Sequence, residues 1–219
     1  MECLALVAVL GILAAILTPT LSDGVKSTPR NVDGISLRTI GNAELVHEQN
    51  YPGALTSDAV PDIYAFAAQL ARDGQLVEPK TWFSKFDEGF NLSSKFPSTI
   101  VDPAAAGAVA PINPKFQGTP LAFAVALFPK GTHVSTLPST VPLAWTRGLQ
   151  TDGTWRKDSP YGGVGGFVFF LGNNLTYFKG STASNGGLTT LKGQSTTNIL
   201  ETLPPGTRIS EFQGPPKTR

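Results

Sequence analysis

The strongest constraint on this chain is an uninterrupted apolar run near its start. From Cys3 to Leu17 the sequence CLALVAVLGILAAIL holds no polar or charged side chain, and Thr18, Pro19, Thr20 and Leu21 prolong it before Ser22 and Asp23. A helix that is apolar all round has to be wrapped on every side, by lipid or by protein core. About 20 residues are needed to cross a hydrocarbon layer of roughly 30 Å, so residues 1–21 form a span of borderline length. A cleavable signal peptide would begin with basic residues and exit through small ones, whereas Met1 is followed by Glu2 and the exit reads TPTLSDG. A wholly buried core helix is the other alternative. A membrane anchor accounts for the pattern best.

The remaining 198 residues (219 less 21) suit one sizeable domain. Charged residues make up only 15%, while 23 glycines and 18 prolines indicate a body rich in turns and poor in long helices. The formal charge of +1, with no Lys/Arg cluster, argues against nucleic acid as a partner. The single cysteine, Cys3, lies inside the apolar run, so neither an internal disulfide nor a cysteine-based zinc site is expected. It precedes the apolar residues rather than following them, which does not suit a lipid-attachment site.

Within the run, Glu2, Gly11 and Pro19 stand nine and then eight residues apart around the wording GILAAIL. This arrangement resembles the N-terminal helix of type IV pilins and type II secretion pseudopilins. The resemblance implies an α+β fold, in which an N-terminal transmembrane helix leads into a pilin-like globular domain with short helices and an antiparallel sheet. It implies a structural role, not an enzymatic one: a subunit held in the bacterial inner membrane, body in the periplasm, assembling with other pilin or pseudopilin subunits. Glu2 would pair with a neighbouring subunit's N-terminal amine. A carboxylate at the centre of a membrane costs about 2.5–3.5 kcal/mol on insertion scales and calls for a partner; beside Met1, however, Glu2 could equally sit wet at the membrane surface. Gly11 offers a smooth face for helix packing in lipid, and Pro19 kinks or ends the helix. The family's basic leader ending in glycine does not precede Glu2, so processing by prepilin peptidase is expected only if translation starts upstream.

Four segments follow: the anchor at 1–21, a linker at 22–34 (SDGVKSTPRNVDG), a globular domain at 35–203 and a flexible tail at 204–219. Ile35, Ile40, Ala43 and Val46 form a loose helical stripe over 33–50, with Asp33 as a candidate N-cap. In 61–73, Ile63, Phe66, Ala67, Leu70 and Ala71 make one apolar face, with Pro61 suited to the first turn and Gly74 to the C-terminal cap. Short β-type runs follow at 121–128, 132–136, 141–146, 166–171 and 175–178, the last two joined as a hairpin through Gly172, Asn173 and Asn174. Residues 98–118 and the chain from Pro204 read as irregular. The sequence GNAELVHEQN, then WFSKFDEG, PLAWTRG and GGVGGFVFFLGNNLTYF, is similar to pilin-like proteins of some environmental bacteria, whose hairpin turn is usually Asp-Gly preceded by a histidine. Here the turn is Gly-Asn and the histidine is absent.

Chemical motifs are sparse. His47 and His133 have no ligand-spaced partner and read as surface residues. Asp87, Glu88, Asp152 and Asp158 supply oxygens that could suit calcium, but Arg156 and Lys157 lie between the last two, in an ordinary turn. The glycines at 162–166 lead into a strand, without the lysine and helix of a phosphate loop. No Gly-x-Ser-x-Gly elbow occurs, and Trp82, Trp145 and Trp155 read as core. No cofactor or metal is expected. A structural subunit is the first functional expectation; a membrane-tethered periplasmic ligand-binding domain on a pilin-type anchor is the alternative.

Overall fold

The computed structural model describes residues 30–87, 97–102 and 110–213. Residues 30–50 form one helix, α1. Residues 30–34, read from the sequence as the end of a linker, therefore belong to that helix. Its buried stripe is Asp33, Gly34, Leu37, Ile40, Gly41, Ala43, Glu44 and His47, a spacing of three and four residues. Ile35 (66% exposed) and Val46 (42% exposed), both expected to face the core, lie on the opposite side. Counting apolar residues misplaced the face because the buried side is lined partly by glycines and polar groups that find partners inside.

A second helix, α2, spans Ile63–Arg72. The Asp62 carboxylate caps it by accepting from the Ala65 amide at 2.8 Å, and Gly74, at φ +72°, turns the chain out of it. Pro61 lies just before the cap rather than in the first turn. The buried face of α2 meets the 3-10 turn Pro79–Trp82: the Phe66 and Trp82 rings stand edge to face, 6.1 Å apart.

Five strands form one antiparallel sheet: β1 Phe123–Leu127, β2 Pro142–Thr146, β3 Gly165–Phe170, β4 Leu175–Lys179 and, out of sequence order, β7 Arg208–Glu211. Their order is β4-β3-β2-β1-β7. A short ribbon, β5 Leu188–Thr189 with β6 Ser195–Thr196, lies between β4 and β7 in the chain. All residues of β1, β2 and β3 are buried, so the sheet is covered on both faces and these strands read as unbroken apolar runs rather than alternating ones. α1 covers the face carrying Phe167 and Phe169. Trp155, from the loop after β2, covers the other by packing on Gly166 and donating its indole N–H to the Thr146 carbonyl at 3.0 Å.

The architecture is thus α+β with an antiparallel sheet, as the sequence implies. Among the described residues no helix is long and apolar enough to cross a membrane; the expected anchor at 1–21 lies outside them. Two local expectations change. Residues 132–136 are not a strand: Val134–Thr136 is a 3-10 turn, closed by Thr136 donating through both its amide and hydroxyl to the His133 carbonyl. The region from Pro204, expected to be a flexible tail, contributes β7, which pairs with β1 from Ala124↔Glu211 to Leu127↔Arg208. The Arg208 guanidinium fastens it by donating to the carbonyls of Ser57, Val60 and Pro61. Four residues after a proline-rich turn are too few for alternation to stand out.

Gly41 sits where α1 presses on β3: a β-carbon there would fall 2.1 Å from the buried Phe169 ring. Overpacking of this kind costs about 1–3 kcal/mol, against roughly 1 kcal/mol that alanine gains over glycine inside a helix. With a 2.1 Å clash the upper end of that cost applies, so Gly41→Ala is expected to lower the unfolding free energy, and with it the urea midpoint, by a net amount on the order of 2 kcal/mol, and adding Phe169→Leu should restore most of it. An unchanged midpoint in the single variant would show that α1 does not rest on Phe169.

Candidate functional site

The chemically distinctive residues of the body lie along α1 and at its two ends. At the start, Asp33 is buried and accepts hydrogen bonds from the Ser84 hydroxyl at 2.5 Å and the Tyr161 hydroxyl at 2.8 Å. Burial raises the Asp33 carboxyl above its ordinary range, while the two hydroxyls pull the other way. Burial and the adjacent Asp33 push the Tyr161 phenol far up, so it remains a neutral donor. The Arg30 guanidinium lies 5.8 Å from the centre of the Tyr161 ring and 5.7 Å from that of Tyr177. One carboxylate thus ties α1 to the segment around Ser84 and to the approach to β3. Expected as an N-cap, Asp33 serves instead as a tertiary tie, because α1 is already formed at residue 30.

A second buried network joins loops at the far ends of β1, β2 and β7. Arg147 and Asp87 pair at 3.0 Å with both side chains about 5% exposed. Arg147 also donates to the carbonyls of Leu121 and Asp158, each at 2.8 Å, and its guanidinium lies against the Phe212 ring. Asp87, considered from the sequence as a cation ligand, is thereby engaged by arginine. Asp158 and Glu211 share Arg156, and Asp152 accepts from the amide and hydroxyl of Thr154, which holds its carboxyl below its ordinary range. Among the described residues no group of three or more His, Cys, Asp or Glu could hold a metal ion.

The C-terminal half of α1 carries two buried titratable side chains with atoms that lack a hydrogen-bond partner among the described residues, Glu44 Oε2 and His47 Nδ1. His47, expected at the surface, is fully buried; its Nε2 lies 2.7 Å from the Asp73 carboxylate, which also accepts from Gln69. This contact pins α1 to the end of α2, and it was hidden because His47 and Asp73 are 26 residues apart. One turn earlier, Glu44 is 6% exposed and its Oε2 has no hydrogen-bond partner among the described residues. Burial, reinforced by Glu48 one turn on, pushes the Glu44 carboxyl well above its ordinary range. Glu44 borders a small internal cavity of about 20 Å³, with Glu48, Thr56 and Thr132 among its walls. Beside it opens a cleft of about 510 Å³ between α1 and the β1–β2 connection, lined by Leu45, Glu48, Gln49, His133, Val134 and Leu137 among others. The two spaces share Leu45, Glu48 and Val134. The sequence signal for this site was the pair Glu44 and Glu48, like charges four apart on a helix, which is unfavourable without a reason.

The face of α1 turned away from the sheet carries Val32, Ile35 and Val46, each more than two-fifths exposed. Glu2, Gly11 and Pro19, the residues assigned from the sequence to subunit assembly, lie outside the described residues. The three tryptophans are core residues, as read, and His133 is exposed at the cleft.

Tyr161→Phe removes a donor from a buried carboxylate and is expected to destabilise by about 1–3 kcal/mol in denaturant titrations, more at pH 7 than at pH 4. Glu44 and Asp33 both have raised folded-state values, so between the unfolded and folded values the native state holds more protons and stability falls as pH rises. The Asp33 part of the decline should begin near 3.8 and the Glu44 part near 4.5, their unfolded values, and Glu44→Gln should flatten the latter in thermal melts taken across pH 4–9. A slope unchanged by that substitution would assign the proton uptake elsewhere. Compared with models of known protein families, with curated proteins and with solved structures, the chain matches none.

Proposed function

We propose that this chain is a pilin-like structural subunit, held in the inner membrane through residues 1–21 and assembling through its N-terminal helices into a type II secretion pseudopilus or a type IV pilus-like filament. The observation that carries the reading is the two-sidedness of α1. Nine residues after the expected anchor, this helix is locked to an antiparallel sheet on one side, through Asp33, Gly34 and Gly41. On the other it exposes Val32, Ile35 and Val46. Val32 and Ile35 lie close together on that face, with Thr39 and Asn42 between them and Val46, and a helix held rigidly to the sheet offers there a small mixed surface suited to lateral packing between identical subunits. In this role Glu2 pairs with a neighbouring amine, and Gly11 and Pro19 shape the anchor. The wording around Glu2, Gly11 and Pro19 supports the family assignment.

The cleft beside Glu48 favours a second reading, in which the body is a tethered periplasmic domain that binds a ligand. Crosslinking separates the two. In a Cys3→Ser background expressed in bacterial membranes, Ile35→Cys and Val46→Cys are expected to give dimer and higher-order crosslinks. Glu2→Gln should reduce these at least tenfold while leaving the chain in the membrane fraction. Crosslinks absent at both positions, or indifferent to Glu2→Gln and Glu2→Ala, would overturn assembly through α1.

A further inference from the structure

A carboxyl group with an unpartnered oxygen in a protein interior is costly, and it persists where something completes it. Glu44 is such a group: it borders a cavity of about 20 Å³, room for one atom group the size of a water molecule. Glu48 flanks the same cavity and also the cleft of about 510 Å³. Both Glu48 carboxylate oxygens already accept from the Gly53 amide at 3.1 Å, yet a carboxylate has lone pairs for further donors. Both residues lie in the last two turns of α1, where the helix dipole favours positive charge. Among the described residues, neither space is lined by lysine or arginine. The neighbouring Lys130 is exposed and stands outside both linings. The outer cleft presents Leu45, Val134, Leu137 and Leu171, a surface for an aliphatic stem.

We infer that the cleft is a binding site for a lysine side chain presented by a partner polypeptide, its ammonium group seated between Glu44 and Glu48 and its methylenes against Leu45, Val134, Leu137 and Leu171. This rests on reading the cleft as a ligand site, and it holds whether or not the subunit assembles. An ammonium group is compact, matches the inner cavity in size and carries three donors, enough for the orphaned Glu44 oxygen and for Glu48. A guanidinium is planar and larger, and is excluded from the inner cavity. Burial favours the neutral form of Glu44, whereas an adjacent ammonium group favours the carboxylate, whose proton passes to solvent. The titratable groups facing the ligand are therefore Glu44, Glu48 and His133.

The test uses the full chain in lipid nanodiscs, with Leu and Val methyl resonances as the readout and Nα-acetyl-lysine-N-methylamide as the probe. Saturable shifts confined to Leu45, Val134, Leu137 and Leu171 are expected. The norleucine counterpart, which keeps the stem and lacks the ammonium, should give none, and the arginine counterpart should bind at least tenfold more weakly. Glu44→Gln, whose fold is checked by its unperturbed methyl spectrum elsewhere, should weaken lysine binding at least tenfold. Affinity for the wild-type chain should rise with pH, by up to tenfold per unit, over the range in which Glu44 is protonated in the free protein and ionised beside the ammonium group; Glu44→Gln should lose that rise. Equal binding of norleucine, or lysine binding unaffected by Glu44→Gln, would overturn the ammonium site while leaving an apolar ligand site. Absence of any saturable shift would overturn the site altogether.

Discussion

The body depends on the close approach of α1 to β3. Two glycines, Gly34 and Gly41, remove the side chains that would otherwise hold the helix off Phe167 and Phe169, and Asp33 fixes the helix along its axis by accepting from Ser84 and Tyr161. Neither device is sufficient alone. Glycine inside a helix is unfavourable by about 1 kcal/mol relative to alanine, and a buried carboxylate is costly without donors. Together they give the helix a defined height and register on the sheet, whereas an apolar stripe of leucines would leave both adjustable. His47 and Asp73 then set the distal end against α2.

The sheet and α2 were legible for a physical reason. β1, β2 and β3 are buried on both faces, so they stand out as apolar runs bounded by Pro and Gly, and α2 carries a cap, an apolar face and a terminal glycine at ordinary spacings. α1 was legible as a helix, but its face was not, because its inward positions include Asp33, Gly34, Gly41, Glu44 and His47. Asp33, the two glycines and His47 are inward because of partners far away in sequence: Tyr161 is 128 residues from Asp33. β7 escaped notice in the same way, being a short edge strand fixed by pairing with β1 and by Arg208 reaching across to the segment before α2. Local pattern reports local causes.

The candidate site was harder to read than the fold. Asp87, Asp152 and Asp158 looked available as oxygen donors in sequence, yet arginines and local amides engage them. Glu44 drew no reading from the sequence and is enclosed in the structure. A carboxylate's availability is decided by which donors the fold brings to it, and spacing along the chain carries little of that.

The polar groups of α1 are therefore asymmetric. At its beginning, Asp33 is buried with two donors and functions as a fastening; three turns later Glu44 is buried with an oxygen unfilled, next to a carboxylate of like charge and an opening to solvent. If burial of Glu44 served only packing, glutamine would fill the same volume without the ionisation penalty and without repelling Glu48. A leucine would remove the unmet polar oxygen as well. Glu44 keeps a local instability beside a cavity, where a cation can relieve it. That is the arrangement expected where binding, and not stability, set the residue.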